Sequence, residues 1–166
     1  LSVGLAILGK SVVCIDADLC HDPNYFPAML QRMESCDLLI GSRYLKPGTQ
    51  KMEDKSLPAK LCSRFGQISS RLVFGFTETD TSHSFRMFRR DLFARIADRL
   101  NQEGNVYLIQ FLYEAKRAGA RVAEMPIVYG KRIHGETKLN ISRETLRYLR
   151  FVLQTISSRR DAGASR

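Results

Sequence analysis

The sequence predicts an α/β fold in which strands and helices alternate in layers. Three observations carry the prediction. Val12-Val13-Cys14-Ile15 is an unbroken apolar run, as expected of a strand buried on both faces, and it rises to the carboxylates Asp16 and Asp18. Apolar residues then recur at helical spacing, in Phe26, Met29, Leu30 and Met33. Further short apolar or alternating runs return between helical stretches. The 166 residues amount to one domain.

Residues 1–10, with Gly4 and Gly9, read as the tail of a helix and a turn, and residues 11–16 as the strand. A central strand needs neighbours on both sides to satisfy its backbone. One side here has no evident partner, so the completing strands are expected before Leu1, which is not a methionine. Pro23 suits a helix start, with Asp22 as its cap. Residues 37–41 form a second apolar strand ending at Gly41-Ser42-Arg43-Tyr44, and 45–56 a polar loop with Pro47 and Gly48.

The spacing of Leu61, Phe65, Ile68 and Leu72 predicts a helix over 58–75 with those four on one face. Residues 84–88 alternate as a strand does, 91–100 and 106–118 read as helices, and Gly119 stops the second. Residues 122–129 read as a strand that Pro126 confines to an edge or bulge. A basic loop covers 130–140. The 142–157 helix sets Leu146, Leu149, Val152, Leu153 and Ile156 against Arg143, Arg147 and Arg150. The domain organisation is a catalytic unit over 1–140, an amphipathic helix over 141–158 that packs or lies on a membrane surface, and a disordered tail over 159–166.

Composition narrows the function classes. With 44% hydrophobic and 26% charged residues the chain is ordinary for a globular protein, and no apolar run approaches the roughly 18 residues of a membrane span. The formal charge of +9 implies an anionic partner, and Lys131, Arg132, Lys138, Arg143, Arg147, Arg150, Arg159 and Arg160 fall in one late stretch. No nucleic-acid module signature accompanies that charge. Cys14, Cys20, Cys36 and Cys62 lack Cys-x-x-Cys spacing and read as reduced thiols in a cytosolic setting. His21, His83 and His134 have no metal-like spacing and read as structural or surface residues.

Asp16 and Asp18 carry the chemistry. Two acids one residue apart on an extended segment point the same way and can converge on an oxygen-liganded cation, Mg2+ or Mn2+. The end of a buried parallel strand is where such folds bind ligands. A turn, or a cap for the following helix, is the plainer reading of an isolated Asp-x-Asp.

Five segments occur in an order that resembles family-two glycosyltransferases of the dolichol-phosphate mannose synthase type. They are Asp16-Ala17-Asp18-Leu19 with Pro23, Asp37 through Tyr44, and Asp80-Thr81-Ser82 with Ser84-Phe85-Arg86. Ala115 to Arg121 leading to Glu124-Met125-Pro126-Ile127 follows, then Lys131-Arg132 with Gly135-Glu136-Thr137-Lys138-Leu139. The resemblance covers about residues 12–155. It implies a GT-A, Rossmann-like fold whose first, nucleotide-holding strands are absent here.

It also implies transfer of mannose or glucose from a nucleotide-sugar of the GDP-mannose or UDP-glucose type to a polyprenyl (dolichyl or undecaprenyl) phosphate. A divalent metal, peripheral attachment at the cytoplasmic face of a membrane, and no nucleic-acid partner go with it. By position, Asp16, Ala17 and Asp18 match the nucleotide and metal segment. Arg43, Arg132 and Lys138 match phosphate-holding basic residues, and Ser63 matches a serine near the acceptor phosphate.

Those residues suit the roles: a leaving diphosphate gathers charge that a metal on Asp16 and Asp18, with Arg132 and Lys138, would neutralise. An ionised acceptor phosphate attacks without a dedicated base, oriented by Arg43. The chain departs from the pattern at His83, Gln110, Ala59 and Cys20, where glycine, glutamate, arginine and Gln or Ser are usual. Two further readings stand beside this one. One is a family-two transferase with a soluble or polysaccharide acceptor. The other is a non-catalytic module that binds phosphorylated ligands, membrane or a partner chain.

Overall fold

The computed structural model describes residues 3–16, 20–46, 57–128 and 141–164. Five strands form one mixed sheet: β1 (Val3–Leu8), β2 (Ser11–Asp16), β3 (Leu38–Ser42), β4 (Arg86–Arg89) and β5 (Val122–Pro126), in the order β1-β2-β4-β3-β5. The helices are α1 (Phe26–Arg32), α2 (Leu57–Phe74), α3 (Arg90–Ile96), α4 (Gly104–Arg117) and α5 (Ile141–Ala164). Short 3-10 turns precede α1 at Pro23–Tyr25 and follow α3 at Ala97–Arg99.

Period-two alternation divides the core between the two faces of the sheet. Leu38, Ile40 and Phe88 face a cluster with Leu92, Ile96, Phe111 and Leu112 of α3 and α4. Val13, Leu39 and Met87 face the other cluster, with Met29 and Met33 around α1. The result is an α/β sandwich with helices on both faces, the fold class the sequence predicts.

β4 is antiparallel to both of its neighbours, β2 and β3. The carboxyl ends of β2 and β3 therefore lie on the same side, flanking the point where the chain enters β4. β5 is the edge strand, parallel to β3, the position Pro126 suggests, and it ends at Pro126 rather than continuing toward 129 as expected.

Several expectations are corrected. Residues 3–8 are a strand, not the tail of a helix: β1 pairs antiparallel with β2 along its whole length, from Val3↔Asp16 to Leu8↔Ser11. The two-residue connection Gly9–Lys10 makes this possible, because Gly9 adopts φ 61° at no steric cost. β2 is thus bonded on both sides by β1 and β4, and the missing neighbour is supplied from within the chain.

α5 continues to Ala164 rather than leaving the helix near Ser157, since nothing from Ser158 to Ala162 is a proline or glycine that would stop it. The apolar face of α2 is not a packing face. Leu61, Phe65, Ile68 and Leu72 are 57–80% exposed, while the polar Gln67 and Ser70 are buried together with Phe74. The loop expected over 45–56 and the basic loop over 130–140 fall mainly outside the described residues.

Candidate active site

The site gathers where β2 and β3 end, around residues 79–85, which lead into β4. This segment carries no regular structure of its own, so its backbone groups are satisfied by side chains. Glu124 of β5 accepts from the backbone N–H groups of Thr79 (2.8 Å) and Asp80 (3.0 Å). Gln67 of α2 accepts from the backbone N–H and the hydroxyl of Thr81 through Oε1, and its Nε2 donates to Ser82 Oγ at 2.9 Å. From below, the guanidinium of Arg86 donates to the carbonyls of Thr81, His83 and Leu108 at 2.6–2.7 Å. Burial pushes Arg86 down to about 10, still a cation at neutral pH.

Arg86 thus commits its guanidinium to three backbone carbonyls rather than to Asp80. Asp80 pairs with Arg43, whose Nε and Nη2 reach Oδ2 and Oδ1 at 2.7 and 2.9 Å. Arg43 also donates its backbone N–H to Oδ2 at 3.2 Å. Burial alone would raise the Asp80 carboxyl, but the Arg43 charge and its hydrogen bonds outweigh that and hold it below the ordinary value.

Asp16 closes β2. Its Oδ2 accepts from Ser84 Oγ at 2.6 Å. Its Oδ1 is buried and has no hydrogen-bond partner among the described residues. An orphaned carboxylate oxygen is costly unless a cation or donor occupies it, so Asp16 Oδ1 is one ligand of the kind an oxygen-liganded divalent ion takes. No group of three His, Cys, Asp or Glu side chains is gathered for a metal among the described residues. Asp18, which the sequence pairs with Asp16, lies outside them.

Two histidines complete the floor. Asp16 donates its backbone N–H to His21 Nδ1 at 3.2 Å, and His83 Nδ1 lies 2.7 Å from Gly41 O. The two Nε2 atoms face each other at 3.3 Å. Burial, with the Arg43 charge next, holds His83 well below its usual pKa, so it is neutral at pH 7. Gly41 is required here, since a Cβ would come within 2.9 Å of Phe85 Cδ1.

Of the residues the sequence singles out, the structure brings Asp16 and Arg43 to the two sides of segment 79–85. Ala17, Asp18, Arg132 and Lys138 lie outside the described residues. Ser63 sits on α2, with its side chain outside them. Ser84 and Glu124 stand in the segments that carry the resemblance but receive no role from the sequence, Gln67 has no signal in it, and His21 and His83 read there as structural or surface residues. The available signals were the membership of Ser84 and Glu124 in those segments and His83, standing where the resembled family has glycine. Gln110, another departure, is buried and spans the 99–102 turn. It accepts from the N–H groups of Asn101 and Gln102 and donates to Arg99 O, a donation that glutamate could not make.

The sequence profile described as "Glycosyl transferase family 2" matches residues 6–97. The chain is 31% identical over 130 residues to a Micrococcus luteus protein named undecaprenyl-phosphate mannosyltransferase, covering 78% of this chain and 53% of that protein. It is 30% identical over 147 residues to a Pyrococcus furiosus protein named dolichol-phosphate mannosyltransferase, covering 87% of this chain and 40% of that one. The chain thus spans about half the length, or less, of these curated relatives.

Proposed function

Because this chain belongs to glycosyl transferase family 2, we propose that it carries part of a catalytic domain that moves a sugar from a nucleotide-sugar to a polyprenyl phosphate. The names of both relatives support the acceptor class, and mannose is the sugar they name. The observation that carries the reading is Asp16: a carboxylate at the carboxyl end of an inner strand, one oxygen held by Ser84 and the other buried without a partner among the described residues.

Asp16, with Asp18, is assigned to Mg2+ or Mn2+, which when bound supplies positive charge against the leaving diphosphate. Arg132 and Lys138 are assigned to the same phosphates, and Ser63 to the acceptor phosphate. Arg43 enters already fixed by Asp80. The pair is neutral overall, so the contribution of Arg43 is directional: a guanidinium set in place beforehand loses little freedom when the acceptor phosphate arrives. The donor is of the GDP-mannose type, with UDP-glucose as the alternative.

The outward apolar stripe of α2 belongs to the same reading. A polyprenyl acceptor is confined to a membrane. α2 exposes Leu61, Phe65, Ile68 and Leu72 beside Arg64 and Arg71 and contains no acidic residue. Next to it α5 exposes Leu146, Leu149 and Leu153 beside Arg143 and Arg150, and Tyr148 of α5 hydrogen-bonds Ser69 of α2 at 3.0 Å. Such faces suit the surface of an anionic bilayer. No helix among the described residues is long and apolar enough to cross one.

The test uses the gene product containing residues 1–166, labelled GDP-mannose or UDP-glucose, and a short-chain polyprenyl phosphate in detergent. Lipid-borne label that is lost with chelator and in Asp16→Ala supports the reading. Label that never enters the lipid extract with either donor, or that survives both treatments, counts against it.

A further inference from the structure

We propose that His21 and His83 are positioning residues that act as a pair on Asp16, an inference that rests on the assignment of Asp16 to a divalent cation. The hydrogen-bond chain fixes the protons of both rings. The Asp16 backbone N–H is a donor, so His21 Nδ1 is bare and the His21 proton sits on Nε2. Gly41 O is an acceptor, so the His83 proton sits on Nδ1 and its Nε2 is bare. The bare His83 Nε2 faces the protonated His21 Nε2 at 3.3 Å, and the chain runs in one direction with both rings neutral.

Its two ends matter. Asp16 terminates β2, Gly41 is the penultimate residue of β3, and β4 separates those strands in the sheet. β2 and β3 exchange no ladder hydrogen bonds, and the imidazole pair ties their ends directly, over the entry to β4. The neighbour of His83 completes the hold: Ser84 donates to Asp16 Oδ2. Two consecutive residues therefore govern one aspartate, His83 through His21 at its amide and Ser84 at its carboxylate. The oxygen left over is Oδ1. The stacking of His21 on Phe85, with ring centroids 4.7 Å apart and planes 15° apart, fixes the first ring in this geometry. Partners that orient a ligating carboxylate weigh on metal affinity by about 10–100-fold when removed.

Binding of Mn2+ alone, followed by the electron paramagnetic resonance signal of the free ion, tests this in the parent chain, Asp16→Asn and His83→Phe. Asp16→Asn is expected to abolish binding. His83→Phe, which keeps ring volume but has no ring nitrogen, is expected to weaken it by about 10–100-fold with the circular dichroism spectrum unchanged. Ring 15N shifts of the parent are expected to show a bare Nδ1 on His21 and a bare Nε2 on His83; the opposite tautomers would overturn the proposal.

If His83→Phe binds Mn2+ as the parent does while Asp16→Asn does not, the positioning role is lost and the cation assignment stands. If Asp16→Asn binds as well as the parent, or the parent does not bind, the cation assignment fails and the proposal with it. Should His83→Phe not fold, His83→Asn replaces it. Its amide can still donate to Gly41 O but is too short to reach His21, so the same weakening is expected, and unchanged affinity overturns the proposal.

Discussion

Arg43 grips Asp80 with both prongs of its guanidinium, at 2.7 and 2.9 Å, and Asp80 has no exposed surface. Removing one partner of such a pair strands the other charge away from water, which costs about 3–5 kcal/mol. Asp80→Ala is therefore expected to lower the thermal midpoint by about 6–20 °C. It should do so more than Asp37→Ala, whose carboxylate is partly exposed to water. Differential scanning calorimetry of the two variants checks the order.

Acid should loosen the fold in a defined window. Asp37 is held at about 2, chiefly by the hydrogen bond from Arg121, and Asp80 is also below its ordinary value. Each carboxylate is more acidic in the folded chain than in the unfolded one. Its contribution is complete above the unfolded value of 3.8 and is lost as pH falls through the folded value. Stability measured by urea titration should thus decline from below about pH 6.5, where the unfolded chain protonates His83 and the folded chain keeps it neutral, and fall further between about 4 and 2 as the carboxylates are protonated. Asp80→Asn should flatten that fall, and an unchanged slope would contradict the assignment.

Two glycines should respond oppositely to alanine. At Gly41 a Cβ would meet Phe85 at 2.9 Å and Ile127 at 3.2 Å, so Gly41→Ala should cost about 1–3 kcal/mol. At Gly66, inside α2, a Cβ meets nothing within 4 Å, and Gly66→Ala should stabilise by about 0.5–1 kcal/mol. Equilibrium unfolding of both single variants measures the difference in sign.

The face of α2 can be altered without touching the core. Phe65 and Leu72 are 69% and 80% exposed, so Phe65→Glu with Leu72→Glu should leave the thermal midpoint nearly unchanged. Each side chain buried in lipid is worth about 1.5–3 kcal/mol, so the double variant should bind phosphatidylglycerol vesicles at least about tenfold more weakly. Co-sedimentation is the measurement. Equal binding would remove α2 from the membrane surface.

Local signals in the sequence carried far in some places. The apolar run before Asp16, the helical spacing over 58–75 and the Gly119 stop after α4 each have a local cause, and each element stands within a residue or two of its predicted bounds. β1 was illegible because a segment with two glycines has no strand periodicity; only the partner across the Gly9 turn makes it a strand. The stripe on α2 was legible, but periodicity states which residues share a face and not what covers it. The site was half legible. Asp16 and Arg43 announce themselves by their surroundings in sequence, whereas Ser84 holds Asp16 across 68 residues and His83 meets His21 across 62. No local pattern encodes contacts of that span.

Those spans have a consequence during synthesis. Asp16 and His21 are synthesised well before Asp80, His83, Ser84 and Arg86. At about 5–20 residues per second the interval is roughly 3–14 s. Throughout it the inner edge of β2 awaits a strand not yet made, and β1 is the only partner β2 can have. Any break in translation upstream of residue 86 releases a product with that edge uncovered and with no loop to hold Asp16. The hold on Asp16 is thus assembled only after the segment 79–86 has been made and reaches back to it.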